Sequence, residues 1–158
     1  AFANDPTSKT SAILMAAVMV GGMVAPFATA IATTFFKNKF TEDERRAGVS
    51  NWILGFSFIT EGAIPFAAAD PLRVIPSIML GSACGAVTAA VLGAQCYAGW
   101  GGLIVLPVVE GKLDYIAAVA VGAVVTAVSV NVLKSIARKN TRQVHEKEDD
   151  LDLDFEIN

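Results

Sequence analysis

Charge is scarce in the middle of this chain, and histidine and cysteine are scarce throughout it. Between positions 52 and 109 only Glu61, Asp70 and Arg73 carry a charge, and the single histidine is at position 145. Charged residues make up 17% of the sequence and hydrophobic residues 54%, whereas a soluble domain has about 25% charged residues. The composition therefore excludes an ordinary soluble domain and indicates a membrane protein, and we expect no nucleic-acid partner.

The two cysteines, Cys84 and Cys96, lie in one apolar run. If that run is helical they are ~18 Å apart along its axis, which is too far for a disulfide. Neither has a metal-ligating residue nearby in sequence, so we expect both to be small packing residues. We expect no metal site, no cofactor and no catalytic residue on this chain.

Three apolar runs, at 11–36, 75–98 and 115–134, reach the ~20 residues that a helix needs to cross the hydrocarbon core, and they carry no charge except Lys134 at the end of the third. They predict an all-α membrane protein with several transmembrane helices. In the second run small residues recur every four positions at Gly81, Gly85, Ala89 and Gly93, which is typical of close helix packing, within the chain or between protomers. Positions 1–10 are interpreted as a loop remnant, and 137–158, with its dense acidic end, as a disordered tail.

The polar segment 37–51 combines a helix start with basic residues. Thr41 and Glu44 have the spacing of a capping box, which predicts a short surface helix. The positive charges here, and those that follow the last span, both favour the cytoplasmic side. If both segments are cytoplasmic, an even number of crossings must separate them. Either 52–69 enters the membrane and returns, or 99–109 supplies a partial crossing; otherwise 99–109 is a surface loop.

The apolar segment 52–69 holds the most informative residue, Glu61. A carboxylate at bilayer depth costs at least ~2.5 kcal/mol and usually faces a polar cavity or pathway. Around it, Thr60, Gly62 and Pro65 are poor material for an unbroken helix. Broken backbone at this depth is tolerated where it lines a cavity, so the pattern predicts a re-entrant segment at 52–69 with a binding site at its turn.

The same residues carry a family resemblance. Positions 55–83 read GFSFITEGAIPFAAADPLRVIPSIMLGSA, and looser similarity extends through MAAVMVGGM at 15–23, FKNKFTEDER at 36–45 and GGLIVLP at 101–107. This resembles the fructose-specific membrane component, IIC, of the bacterial phosphoenolpyruvate-dependent sugar phosphotransferase system. The resemblance implies that 11–136 is the C-terminal part of a IIC permease domain in the bacterial inner membrane, with a cytoplasmic tail and a homodimeric state.

For the site, the resemblance implies that Glu61 binds a sugar, most simply fructose, with Thr60, Gly62 and Pro65 beside it. A phosphorylated IIB component would donate the phosphoryl group, since no residue of this chain suits that role. Family members often have histidine where this chain has Trp100, which could instead stack on a sugar face. The chain would thus be the transport subunit of a phosphotransferase complex, in contact with membrane lipid.

Other interpretations stay open at this stage. Asp70 and Arg73 could gate the site or dock a partner, although a helix start with Asp70 as cap and Pro71 in the first turn is the simpler interpretation. Glu61 could cap a half-helix or pair with Arg73 for structure alone. The chain could also belong to an ion-coupled secondary transporter, or be a membrane fragment that does not transport.

Overall fold

The computed structural model describes the backbone of residues 9–156 and the side chains of residues 9–138. Helices account for nearly all of it. The five α-helices are α1 (Lys9–Phe35), α2 (Glu42–Phe56), α3 (Ile64–Ala69), α4 (Pro71–Leu92) and α5 (Lys112–Glu156). Short 3-10 helices lie at Lys37–Lys39, Thr60–Ala63 and Leu103–Val108, and two-residue strands β1 (Gln95–Cys96) and β2 (Val109–Glu110) pair antiparallel.

The three long helices α1, α4 and α5 form a bundle in which α4 runs opposite to the other two. Ser82 Oγ of α4 donates to the carbonyl of Gly21 in α1 over 2.8 Å, whereas Ile78, one turn earlier on α4, lines a small cavity together with Ala28 and Ala32. Residue numbers thus fall along α1 as they rise along α4. Lys9–Phe35, Pro71–Leu92 and Lys112–Arg138 are each long and apolar enough to cross a membrane. The prediction of an all-α membrane protein with several transmembrane helices is confirmed.

Small residues on α4 let these helices approach closely. Gly81 is buried against Thr126 and the Gly122 carbonyl of α5, and Gly85 lies 3.2 Å from the Ala118 carbonyl, measured from the position that a Cβ would occupy. The stripe expected from the sequence is therefore a packing surface within the chain. Its last member, Gly93, instead ends α4 in a left-handed conformation with φ +74°.

The segments α2 and α3 form a helical hairpin, residues 42–69, beside α1. Thr41 begins α2 with the expected capping box, because its hydroxyl accepts from the Glu44 amide while the Glu44 carboxylate accepts from the Thr41 amide. Contrary to expectation, α2 is not a short surface helix. It continues through Trp52 to Phe56, because nothing in that stretch interrupts the helix once it has been capped.

The hairpin turns back about halfway along α1. Its outgoing arm starts near the end of α1, where Gly48 packs on Thr33, and its turn brings Phe58 beside Gly22, the middle of α1. The returning arm, α3, then brings Phe66 back to within 6.4 Å of the Phe40 ring, near the start of α2. This shape fits a segment that enters and leaves on one side. The re-entrant placement in a bilayer stays a prediction.

The two basic segments lie at one end of the bundle, as an even number of crossings requires. Lys39 Nζ donates to the Asn131 carbonyl of α5 over 3.1 Å. Lys134 Nζ lies 3.4 Å from the Glu44 carboxylate and 4.0 Å from the centre of the Phe40 ring. We refer to this as the basic end of the bundle.

Several predicted boundaries are wrong. The second span covers Pro71–Leu92 and not 75–98, because Gly93 ends the helix. Cys96 therefore lies on β1 and not in the span, and both cysteines are free thiols. Segment 99–109 is a loop with one 3-10 helix. The tail expected to be disordered is helical to Glu156, since it lacks glycine and proline and is rich in good helix formers. The loop remnant at 1–8 and the last two residues, 157–158, lie outside the described residues.

Candidate functional site

The turn of the hairpin interrupts the helix at 57–59, slightly before the break expected at 60–65. Phe58 has φ +62°, a left-handed conformation that is uncommon for a residue with a side chain, and it costs roughly 1–3 kcal/mol. Thr60–Ala63 then forms a single 3-10 turn, and Pro65 begins α3 at a first-turn position where its missing amide costs nothing. The surrounding contacts must therefore hold this turn in place.

Two contacts hold the turn. The first is a buried amide: Asn51 is 1% exposed, and its Nδ2 donates to Thr29 Oγ1 over 2.7 Å and to the Gly62 carbonyl over 2.9 Å. One side chain of the outgoing arm thereby joins the hairpin turn to α1. A Cβ on Gly62 would collide with the Asn51 amide, so the position requires glycine for close approach.

The second contact is the Phe58 ring, which fills a slot between two glycines. A Cβ on Gly22 of α1 would lie 2.9 Å from the ring, and a Cβ on Gly101 would overlap it. Next to it, Gly102 has φ +99°, and a Cβ there would lie 2.7 Å from the Phe56 carbonyl. The glycine-rich loop at 99–102 therefore packs directly on the hairpin turn.

Glu61 lies on the outer side of this turn. Its side chain is exposed, and among the described residues its carboxylate forms no hydrogen bond or ion pair. Thr60 and Pro65 are exposed beside it, whereas Gly62 is partly buried against Asn51. Trp100, in the loop that packs on the turn, is 64% exposed. Thr60, Glu61, Gly62 and Pro65 thus lie in or directly after one turn, and the Glu61 carboxylate and the Trp100 indole are both exposed.

Asp70 and Arg73 form a separate unit at the start of α4. Arg73 Nη1 donates to Asp70 Oδ2 over 2.8 Å. Asp70 is the residue before the helix and Pro71 is in its first turn, as expected, but the Asp70 side chain does not cap the helix because it accepts from Arg73 instead. This pairing also leaves Arg73 unavailable to Glu61, so the two structural roles considered for Glu61, helix cap and partner of Arg73, are both absent.

Two residues of the site were missed from the sequence. Asn51 falls at the end of a polar segment, where an amide is unremarkable, and Phe58 falls in an apolar stretch, where an aromatic is expected. The one sequence signal for Asn51 was its position directly before a long apolar run. A polar side chain there has few hydrogen-bond partners other than polar groups inside the protein.

Comparison with curated proteins identifies the relatives of the chain. It is 68% identical over 145 residues, 92% of its length, to the "Fructose-like permease IIC component 2" of Escherichia coli strain K12. It is also 44% identical over 119 residues, 75% of its length, to the "PTS system fructose-specific EIIABC component" of Bacillus subtilis strain 168. The chain belongs to the fructose-type IIC family.

This IIC chain spans only part of its relatives: 40% of the Escherichia coli protein and 19% of the Bacillus subtilis protein. A third relative, the "PTS system fructose-specific EIIB'BC component" of Xanthomonas campestris pv. campestris, is 46% identical over 76% of the chain and is matched over 21% of its own length. No protein-family model and no solved structure matches the chain. The family assignment confirms the resemblance noted from positions 55–83.

Proposed function

We propose that this IIC chain supplies the sugar-binding hairpin of a phosphotransferase permease, as the C-terminal part of the IIC domain. The permease binds a hexose, most simply fructose, within the bacterial inner membrane and moves it inward as it is phosphorylated. The names of the relatives specify fructose, which supports this choice of sugar for the chain.

The observation that carries the proposal is the exposed carboxylate of Glu61, which has no partner among the described residues and lies on a turn that packs beside the middle of α1. A carboxylate can accept hydrogen bonds from two neighbouring sugar hydroxyls, and charge-assisted bonds of this kind are the strong ones. The Thr60 hydroxyl can donate or accept beside it. Trp100, on the loop that packs against the turn, offers an aromatic face for the apolar side of the ring.

A partner must provide the phosphoryl group. Cys84 lies on the spanning helix α4 and Cys96 is buried, so neither is suited to carry phosphate in water. Relatives are named EIIB'BC and EIIABC components, which supports a IIB unit as the donor. We place the basic end of the bundle in the cytoplasm, where that partner would meet the sugar, because positive charges near span ends favour this side. A homodimer remains part of the proposal.

The test is sugar uptake by the full-length protein carrying Glu61→Gln, in cells that lack their own fructose transport. Loss of the charged acceptor removes charge-assisted hydrogen bonds of ~1.5–3 kcal/mol each, so we expect fructose uptake to fall by at least about tenfold. Glu110→Gln, which neutralises an exposed acid on β2, should leave uptake unchanged.

The amount of protein in the membrane must be equal for all variants. Uptake that is unchanged by Glu61→Gln would refute the site. Uptake that follows a proton gradient and does not require phosphoenolpyruvate would instead refute the phosphotransferase mechanism and favour an ion-coupled transporter.

A further inference from the structure

A groove at the basic end of the bundle is not used by the proposed sugar site. It has a volume of about 440 Å³ and lies between the end of α1 and one face of α5. Phe36 and Lys39 form one wall, and Val128, Val132 and Ile136 belong to the other. The hairpin turn with Glu61 lies beside Gly22, about halfway along α1, so the two sites are separate.

The groove has a cation at its polar corner. Lys39 Nζ donates to the Asn131 carbonyl over 3.1 Å and to the Ser135 hydroxyl, both of them neutral acceptors. Among the described residues no carboxylate lies within ion-pair distance of it. Lys134 nearby differs, because its ammonium is 3.4 Å from the Glu44 carboxylate. Lys39 is therefore a partly buried positive charge that an anion would neutralise.

A second polar group at the groove also lacks a partner. Asn131 is 4% exposed, and its Nδ2 donates to the Ala127 carbonyl over 2.7 Å. Its Oδ1 is buried and has no hydrogen bond within the described part of the chain. A buried acceptor without a partner costs ~1–3 kcal/mol, and bound hydroxyls or water usually satisfy such atoms.

The remaining wall is apolar and faces outward from the bundle. Val128, Val132 and Ile136 are spaced four residues apart on α5 and are each about half exposed. Phe36 closes the other side, and Lys39 Nζ lies 6.0 Å from its ring centre. An occupant must therefore combine a negative head near Lys39 with a hydrocarbon body along α5.

We propose that this groove binds one anionic phospholipid. Its phosphate would pair with Lys39 at the level of the headgroups, and an acyl chain would cover the valine face of α5. Basic pockets between spanning helices are suited to anionic headgroups in this way. Free phosphate shares the head chemistry but could not cover the apolar wall, so lipid is the occupant that the groove favours.

The experiment is native mass spectrometry of the full-length protein in detergent, titrated with phosphatidylglycerol or with phosphatidylcholine of the same acyl chains. We expect the first phosphatidylglycerol to bind at least fivefold more tightly than phosphatidylcholine. Lys39→Gln should weaken that binding about fivefold, as expected for one basic residue near an anionic headgroup. Lys37→Gln removes the same charge from the same 3-10 turn but outside the groove, and should change binding less than twofold.

A second variant separates the groove from charge alone. Val128→Trp keeps Lys39 and fills part of the apolar wall, and it should also weaken phosphatidylglycerol binding at least fivefold. Inorganic phosphate at millimolar concentration should not displace the lipid. Equal affinity for the two lipids, equal effects of Lys37→Gln and Lys39→Gln, or displacement by phosphate would each overturn the proposal. The result does not depend on sugar uptake, so it stands or fails separately from the proposed function.

Discussion

Removing the Asn51 amide should release the hairpin turn while leaving the side chains of the proposed sugar site intact. Asn51 donates to Thr29 Oγ1 over 2.7 Å and to the Gly62 carbonyl over 2.9 Å, and it is almost fully buried. Asn51→Asp keeps the size and the acceptor oxygen but loses both N–H donors. It therefore tests the loss of the donors without a loss of packing volume, which Asn51→Ala would not do, although it also introduces a carboxylate.

The magnitude follows from the two bonds. A neutral hydrogen bond contributes ~1 kcal/mol net, and an acceptor left buried without a donor costs ~1–3 kcal/mol. Thr29 Oγ1 still donates to the Pro26 carbonyl over 2.9 Å, so its loss is partial, whereas the Gly62 carbonyl loses its donor. We expect Asn51→Ala to lower the free energy of unfolding by ~2–4 kcal/mol, and Asn51→Asp by at least as much because its charge would be buried.

The assay pairs stability with transport. Unfolding of the purified full-length protein in detergent gives the free energy change, and radiolabelled fructose uptake gives KM and the maximal rate. Because the turn presents Glu61, we expect KM to rise for Asn51→Ala even below the temperature at which the variant begins to unfold. Asn38→Ala, in the exposed loop after α1, is the matched control and should change neither quantity. Wild-type stability and KM in Asn51→Asp would refute the role given to this amide.

Two further predictions concern the packing of α4 and the ion pair at the basic end of the bundle. Gly81→Ala should destabilise the protein by ~1–3 kcal/mol, because the added Cβ overlaps α5. Gly21→Ala meets only ordinary contacts and should be neutral or stabilising by up to ~1 kcal/mol. Thermal unfolding measures both, and equal effects would contradict the close packing of Gly81. Glu44→Gln should lower the free energy of unfolding by ~1–2 kcal/mol, because it removes the charged partner of the partly buried Lys134. Glu42→Gln breaks an exposed ion pair and should lower it by less than ~0.5 kcal/mol. Equal losses in denaturant unfolding would contradict a difference in burial between the two pairs.

The sequence was sufficient for the features that depend on long apolar runs and local capping. Three spans follow from hydropathy because only a helix can satisfy its own backbone in lipid. The capping box at Thr41 and the proline start of α4 at Pro71 are local patterns, and both are present. Exact ends were harder to predict: α4 ends at Leu92 because Gly93 adopts a left-handed conformation, but Gly81 and Gly85 lie inside the same helix, so glycine alone did not mark the end.

The candidate site was only half predictable. The carboxylate of Glu61 is conspicuous because charge is rare around it, and its predicted companions Thr60 and Gly62 are its neighbours in the sequence. The residues that position the turn are not conspicuous, since Asn51 and Phe58 have ordinary types for their neighbourhoods. Their roles depend on Thr29 and Gly22, which lie far away in sequence and meet them only after α2 folds back along α1.

The proposed sugar site has to satisfy two opposing physical requirements on its carboxylate. A carboxylate that is paired within the protein cannot offer its oxygens to a polyol, yet an unpaired carboxylate buried in protein is strongly destabilising. Here different residues anchor the turn and carry the proposed binding: Asn51 and Phe58 contact α1 inside the protein, while Glu61 on the turn is exposed. The left-handed backbone at Phe58 makes this division possible, because it turns the chain between the anchored ring and the exposed acid. Strain at Phe58 is thus offset by contacts that leave Glu61 free.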